Sequence, residues 1–207
     1  MSPTERSDAD APPASGIGEP DSPDAPAYGG ELLGWLLLVY HVPSDPSRLR
    51  AAVWRRLKGL GAVYLQNAAA ALPASDSNDR ALRRLRHEII EMSGSAVLLN
   101  CAALAGEAEI LAAFQAARDD EYAEIVDRCR DFLVQIEKEH HAEHFSYAEL
   151  EENEVDLVKL HSWFDKVVAR DNFGAPGRRD AEGSLATCEV ALEGYAGQVY
   201  ATEAEAH

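Results

Sequence analysis

Residues 32–43 read LLGWLLLVYHVP, an almost unbroken apolar run closed by a proline. Such a run is expected for a strand buried on both faces. It is too short to cross a bilayer. Ser44-Asp45-Pro46 follows as a helix start, because Asp45 can cap free backbone N–H groups and Pro46 suits the first helical position. In the helix this predicts, Leu49, Val53, Leu57 and Leu60 share one face, and Gly59 and Gly61 stop it. Ala62 to Leu72 reads as a second strand closed by Pro73. Asp76 to Asp79 starts a second helix with the stripe Leu82, Leu85, Ile89 and Met92. Gly94 is expected to end it, and Ala96 to Ala103 forms a third strand. Residues 31–105 therefore predict β-α-β-α-β. The fold class is α+β with a ferredoxin-like module, and a small parallel sheet also fits the pattern.

Outward from this block the composition changes twice. Residues 1–30 mix Pro, Ser, Asp, Gly and Ala with almost no large apolar side chain, and are expected to be a disordered tail. Residues 106–202 read as a helical subdomain. Ile110, Leu111 and Phe114 begin one face, and Tyr122, Ile125, Cys129, Phe132 and Ile136 continue it at helical spacing. Phe145 to Glu154 suggests a turn. Leu157, His161, Phe164 and Val168 form another stripe, Asn172 to Gly183 a loop, and Leu185, Cys188, Leu192, Tyr195 and Val199 a last helix.

The formal net charge is −17, with 19 Lys and Arg against 36 Asp and Glu. That average field argues against a protein that coats nucleic acid nonspecifically. The charge is uneven, however. The tail carries a net −5, residues 31–105 a net +3 and the remainder a net −15. Eight of the nine cations in the α/β block are arginines, and guanidinium matches tetrahedral oxyanions bidentately. Arg48, Arg50, Arg55, Arg56 and Lys58 lie on the first helix and Arg83 and Arg84 on the second. They form either a solvated surface or a site for DNA phosphate or a small oxyanion. The acidic string Glu149 to Glu154 reads as a solvated turn or helix start, or as a surface for a basic partner.

Glu137, His140, His141, Glu143 and His144 are the densest group of ligand-type side chains. Spacing of four places His140 with His144, and Glu137 with His141, on shared helix faces, so Glu137, His140, His141 and His144 make a candidate metal set for a hydrolase or nuclease. His161 could approach from the next helix, although a histidine on an apolar stripe is commonly a hydrogen-bonded core residue. The set lacks the glutamate directly after the first histidine that a metalloprotease helix needs. No phosphate loop, dinucleotide fingerprint or nucleophile elbow is present. Cys101, Cys129 and Cys188 are scattered, which gives neither a disulfide framework nor zinc spacing, and each reads as buried core. Trp35, Trp54 and Trp163 read as packing residues, with Trp54 beside Arg50 and Arg55 also able to line a binding surface. No secretory leader is evident, so a soluble cytoplasmic protein with no membrane association and no cofactor is expected.

Several strings resemble the N-terminal domain of ChrB-type chromate-resistance regulators. They are Trp35 to Pro43, Pro46 to Arg50, Val53 to Leu57 and Leu60 to Val63, then Tyr147 to Glu154, then Arg170-Asp171-Asn172-Phe173-Gly174-Ala175-Pro176. The likeness spans about residues 33–200, and the first part is similar to the ferredoxin-like module of PaaX-type repressors. The resemblance implies a non-enzymatic, chromate-responsive transcriptional regulator. Its expected partners are promoter DNA and chromate or a similar oxyanion, with a homodimer as a further option.

Overall fold

A computed structural model describes residues 33–43 and 47–205. The expected tail and the helix start at Ser44-Asp45-Pro46 lie outside the described residues. The elements run β1 (Gly34–His41), α1 (Arg48–Gly59), β2 (Val63–Gln66), β3 (Ala69–Pro73), α2 (Asp76–Glu91), β4 (Ser95–Ala102), α3 (Glu107–His141), α4 (Tyr147–Val168) and α5 (Arg178–Glu205). The class is α+β.

The stretch read as one strand, Ala62 to Leu72, is a hairpin. Asn67 and Ala68 make its turn, with Ala68 at φ 63°, and the Tyr40 N–H donates to the Ala68 carbonyl at 2.9 Å. The small alanines of β3 pack against β1 without bulk, so a periodicity argument sees no break. The block is therefore βαββαβ, not βαβαβ. Its sheet has the order β2-β3-β1-β4 with every neighbouring pair antiparallel, which overturns the parallel alternative.

Burial of β1 is also less complete than its sequence suggests. Leu36 and Leu38 are buried on the face that α1 and α2 cover with Val53, Leu57, Leu82, Leu85 and Ile89. Along the opposite face, alternation places Trp35, Leu37 and Val39, registered with Cys101, Leu99 and Val97 of β4. Only the Trp35 end of that face is covered. Its indole packs against Phe114 of α3 and Phe173, with ring centroids 5.6 and 5.8 Å away. Val39, Val97 and Leu99 are exposed, and so is Cys101, which was expected to be buried. β4 is an edge strand of the sheet.

Helix ends explain where elements stop. Gly61 (φ 80°) ends α1: its N–H donates to the Lys58 carbonyl at 3.0 Å, and that of Ala62 to Leu57 at 3.0 Å. After α2 the left-handed position is taken by Ser93 (φ 60°), not by Gly94. Gly94 is required for a different reason, since a Cβ there would stand 2.5 Å from the His41 carbonyl. Ser146 caps α4 by accepting the Glu149 N–H at 3.3 Å, so the expected turn at Phe145 to Glu154 is instead the start of a helix.

α3 is a spine of 35 residues, roughly 50 Å long. Its first turns join the α/β core through Ile110, Leu111, Phe114 and Ala117. Beyond these, Tyr122, Ile125, Cys129, Phe132 and Ile136 join a second core with α4 and α5. No described helix is long and apolar enough to cross a membrane.

Candidate functional site

The two cationic helices meet in a cleft of about 610 Å³ lined by Arg55, Arg56, Gly59 and Leu60 of α1's end and Ala81, Arg84, Leu85 and Glu88 of α2. The burial of Val53 and Leu57 on one side and Leu82 and Leu85 on the other fixes the rotation of both helices. Arg55, Arg56 and Arg84 are thereby turned to the rim. Arg56 Nη2 lies 3.4 Å from Glu88 Oε1 across the cleft. Arg55 and Arg84 have no carboxylate partner among the described residues. Two free guanidiniums and one that is loosely held suit a ligand with several anionic oxygens.

The other expected binding residues separate. Arg83 bonds Asp79 one turn earlier at 2.7 Å and lines a different groove with Arg86, Val97 and Leu98. Arg48 is exposed at the first turn of α1. Arg50 faces away from α2, into a cleft against the sheet, and the Lys58 ammonium sits 5.4 Å from the centroid of the Trp54 ring.

The histidine-rich set is not gathered. The His140 ring packs edge-on against Phe145 and Tyr195, with centroids 5.2 and 5.8 Å away. His141 Nδ1 is 3.0 Å from the Glu137 carbonyl of its own helix, and the His144 carbonyl accepts the Tyr195 hydroxyl at 2.5 Å. Glu143 stands at φ 52°, so the chain turns between His141 and His144 and breaks the helical spacing on which the metal reading depended. Among the described residues no three His, Cys, Asp or Glu side chains are placed to hold a metal ion. His161 pairs with Glu189 of α5 at 2.9 Å. Cys129 and Cys188 are buried beside each other, and burial pushes the Cys188 thiol up to about 12, which keeps it protonated.

What the sequence reasoning missed is a buried charge network between the two cores. Arg118, 3% exposed, donates through Nη2 to Glu121 Oε1 at 3.0 Å and through Nη1 to the Gly61 carbonyl at 3.4 Å. Arg170 donates to the other Glu121 oxygen at 2.5 Å. The Nε atoms of both arginines lack a partner among the described residues. Around this network, the Tyr122 hydroxyl donates to Asp171 at 3.2 Å, and burial first, then Asp171, push that phenol up to about 12. Gln115 donates to the Phe173 carbonyl, and Asp119 accepts the Gly177 N–H at 2.7 Å. The string Arg170 to Pro176 is thus fastened along α3. Further along, buried Asn153 donates to buried Glu139 at 2.7 Å, as does Gln135.

A family model described as the N-terminal part of protein ChrB matches residues 50–206. The chain belongs to this ChrB family. Membership links it to chromate resistance. The match begins at Arg50, so it takes in α1 from its third residue, α2 and all of α3 to α5 but leaves out β1 and Arg48. No curated protein matches the chain. Two of the strings that carried the ChrB resemblance now have structural roles: Tyr147 to Glu154 opens α4 and supplies Asn153, and Arg170 to Pro176 joins the two cores.

Proposed function

We propose that this ChrB-family chain is a non-catalytic cytoplasmic regulator of chromate resistance that takes a tetrahedral oxyanion in the α1–α2 cleft. The observation that carries this is the convergence of Arg55, Arg56 and Arg84 from two helices on one concavity, with Arg55 and Arg84 free of carboxylates among the described residues. A concave set favours a compact anion over a flat polyanion track. Glu88 then acts as a built-in competitor, holding Arg56 until an anion displaces it. DNA phosphate offers the same oxygens, and Arg48, exposed on α1, would extend the surface for it. The strand order β2-β3-β1-β4, with each βαβ unit split by a strand of the other, supports reading the α/β half as a ferredoxin-like module.

The test compares chromate with sulfate by calorimetry on the whole chain. Chromate is expected to bind, and Arg55→Gln with Arg84→Gln to abolish that binding. Fluorescence anisotropy with promoter DNA at two salt concentrations separates the other source. Salt-dependent binding that loses about one unit of slope per arginine removed would assign the cleft to phosphate. Absence of binding to either ligand would sink the reading.

A further inference from the structure

A second cleft, on the other flank of α1, has a different chemistry. It encloses about 550 Å³ between the end of β1, α1 and the β2–β3 hairpin. Its polar and aromatic lining is Tyr40, His41, Arg50, Trp54, Tyr64 and Asn67, and no carboxylate lines it among the described residues. The volume lies within the range of small-ligand sites.

Three features act together there. Trp54 is 50% exposed and Tyr64 39% exposed, so two aromatic rings stand at the mouth of a concavity; the Lys58 ammonium lies over one face of the indole, which leaves the other for a guest. The hydroxyls of Tyr40 and Tyr64 are 2.8 Å apart. One of them donates to the other, which leaves one hydroxyl hydrogen available to a guest. Burial, then the bond to Tyr40, raises the Tyr64 phenol well above its ordinary value. Arg50 has no ion pair or hydrogen bond to any described residue and stands one turn before Trp54 on the same helix flank. Its guanidinium and the indole can therefore meet the acid group and the ring of a single molecule. The turn that closes the cleft is held with Ala68 at φ 63°, a conformation that costs a non-glycine residue energy and that the Tyr40–Ala68 backbone bond maintains.

We infer that this cleft is a ligand site for a small planar aromatic anion, with the ring stacked on Trp54 and the acid group on Arg50 and the tyrosine hydroxyl. It differs in residues and in ligand class from the α1–α2 oxyanion cleft and does not depend on it. Aromatic carboxylates and nucleotides share the required chemistry.

The experiment titrates the full chain with 1-naphthoate by calorimetry and by tryptophan fluorescence. Parallel titrations use cyclohexanecarboxylate, 1-naphthylmethylammonium and adenosine monophosphate. Naphthoate is expected to bind and to quench Trp54, while the saturated acid and the ammonium bind at least about tenfold more weakly. Trp54→Ala and Arg50→Gln should each weaken naphthoate by about tenfold or more, and Arg55→Gln with Arg84→Gln should leave it unchanged. Both changed side chains are exposed, and far-UV circular dichroism checks that the variants fold. Tighter binding of adenosine monophosphate with the same dependence on Trp54 and Arg50 would assign the site to a nucleotide, and tighter naphthoate to a carboxylate. The proposal is overturned if no aromatic anion binds, if the ammonium binds as well as naphthoate, or if binding ignores Trp54 and Arg50.

Discussion

In the α/β half, Arg55 and Arg84 reach an open cleft without a carboxylate of their own among the described residues. In the helical half, Arg128 bonds Asp131, Arg130 bonds Asp127 and Arg178 bonds Glu182, each within one turn of the same helix. The difference follows from supply. Residues 31–105 have six acids for nine cations, and residues 106–207 have twenty-four for nine. Where acids are abundant, i,i+3 and i,i+4 pairs neutralise arginine locally. Where they are scarce, Arg83 still pairs with Asp79 and Arg56 with Glu88, but Arg55 and Arg84 are left for something that arrives from outside. A third setting lies between the two, where buried Arg118 and partly buried Arg170 divide a single carboxylate.

The two halves keep their separate characters because the Glu121 network binds them into one unit, and its removal should have the largest effect. Glu121→Ala takes the carboxylate from buried Arg118, which keeps only the Gly61 carbonyl, and from partly buried Arg170, a loss of about 3 kcal/mol. Urea unfolding is expected to shift accordingly and to split into two transitions; a single unshifted transition would show that the halves do not depend on the seam.

Alkaline pH should weaken the helical half. The folded values of Tyr122 and Cys188 are pushed to about 12 from 10.0 and 9.0, mainly by burial. The unfolded chain therefore releases these protons first, so this contribution is present below about pH 9 and is lost as pH rises toward 12. Urea midpoints followed by helical ellipticity from pH 8 to 11 should fall steadily, and Tyr122→Phe should flatten the fall.

Gly61→Ala tests the seam from the α/β side. At φ 80° an added Cβ would stand 2.8 Å from Arg118 Nη1 and 3.0 Å from Arg170 Cβ. A cost of about 1–2 kcal/mol is expected from the left-handed conformation alone, with the crowding added to it. Gly59→Ala, with open space around its Cβ, is the control that thermal melting should find nearly silent.

The smallest effect belongs to the paired arginines. Arg128→Gln removes an exposed pair with Asp131 and should cost below about 1 kcal/mol. It should leave anion binding untouched. If it weakened chromate or DNA binding as much as Arg55→Gln, the contrast between the halves would fail.

Particular residues show how far the sequence could be read. The α1 and α2 stripes were legible because Val53, Leu57, Leu82, Leu85 and Ile89 repeat at helical spacing, and their outward arginines follow from the same rotation. The hairpin was not, since Asn67 is its lone turn-forming residue, no glycine or proline accompanies it, and the alanines 68–71 that follow carry no polar break. The histidine set misled because spacing of four implies a shared face only while the helix continues, and it stops at His141. Tyr40 and Tyr64 were invisible as a pair, being 24 residues apart.

The sequence by itself settled the α+β composition, the two arginine helices, the charge asymmetry and the family, because these rest on local period, count and pattern. Only the tertiary structure decided which arginines share a cleft, which are neutralised, and that Glu121 serves two of them. Those outcomes depend on groups brought together from 32 to 57 positions apart, such as Arg56 with Glu88, Glu121 with Arg170, and Arg118 with Gly61. Periodicity reports which way a side chain points from its own helix; what it meets there is set by how the helices and the sheet pack.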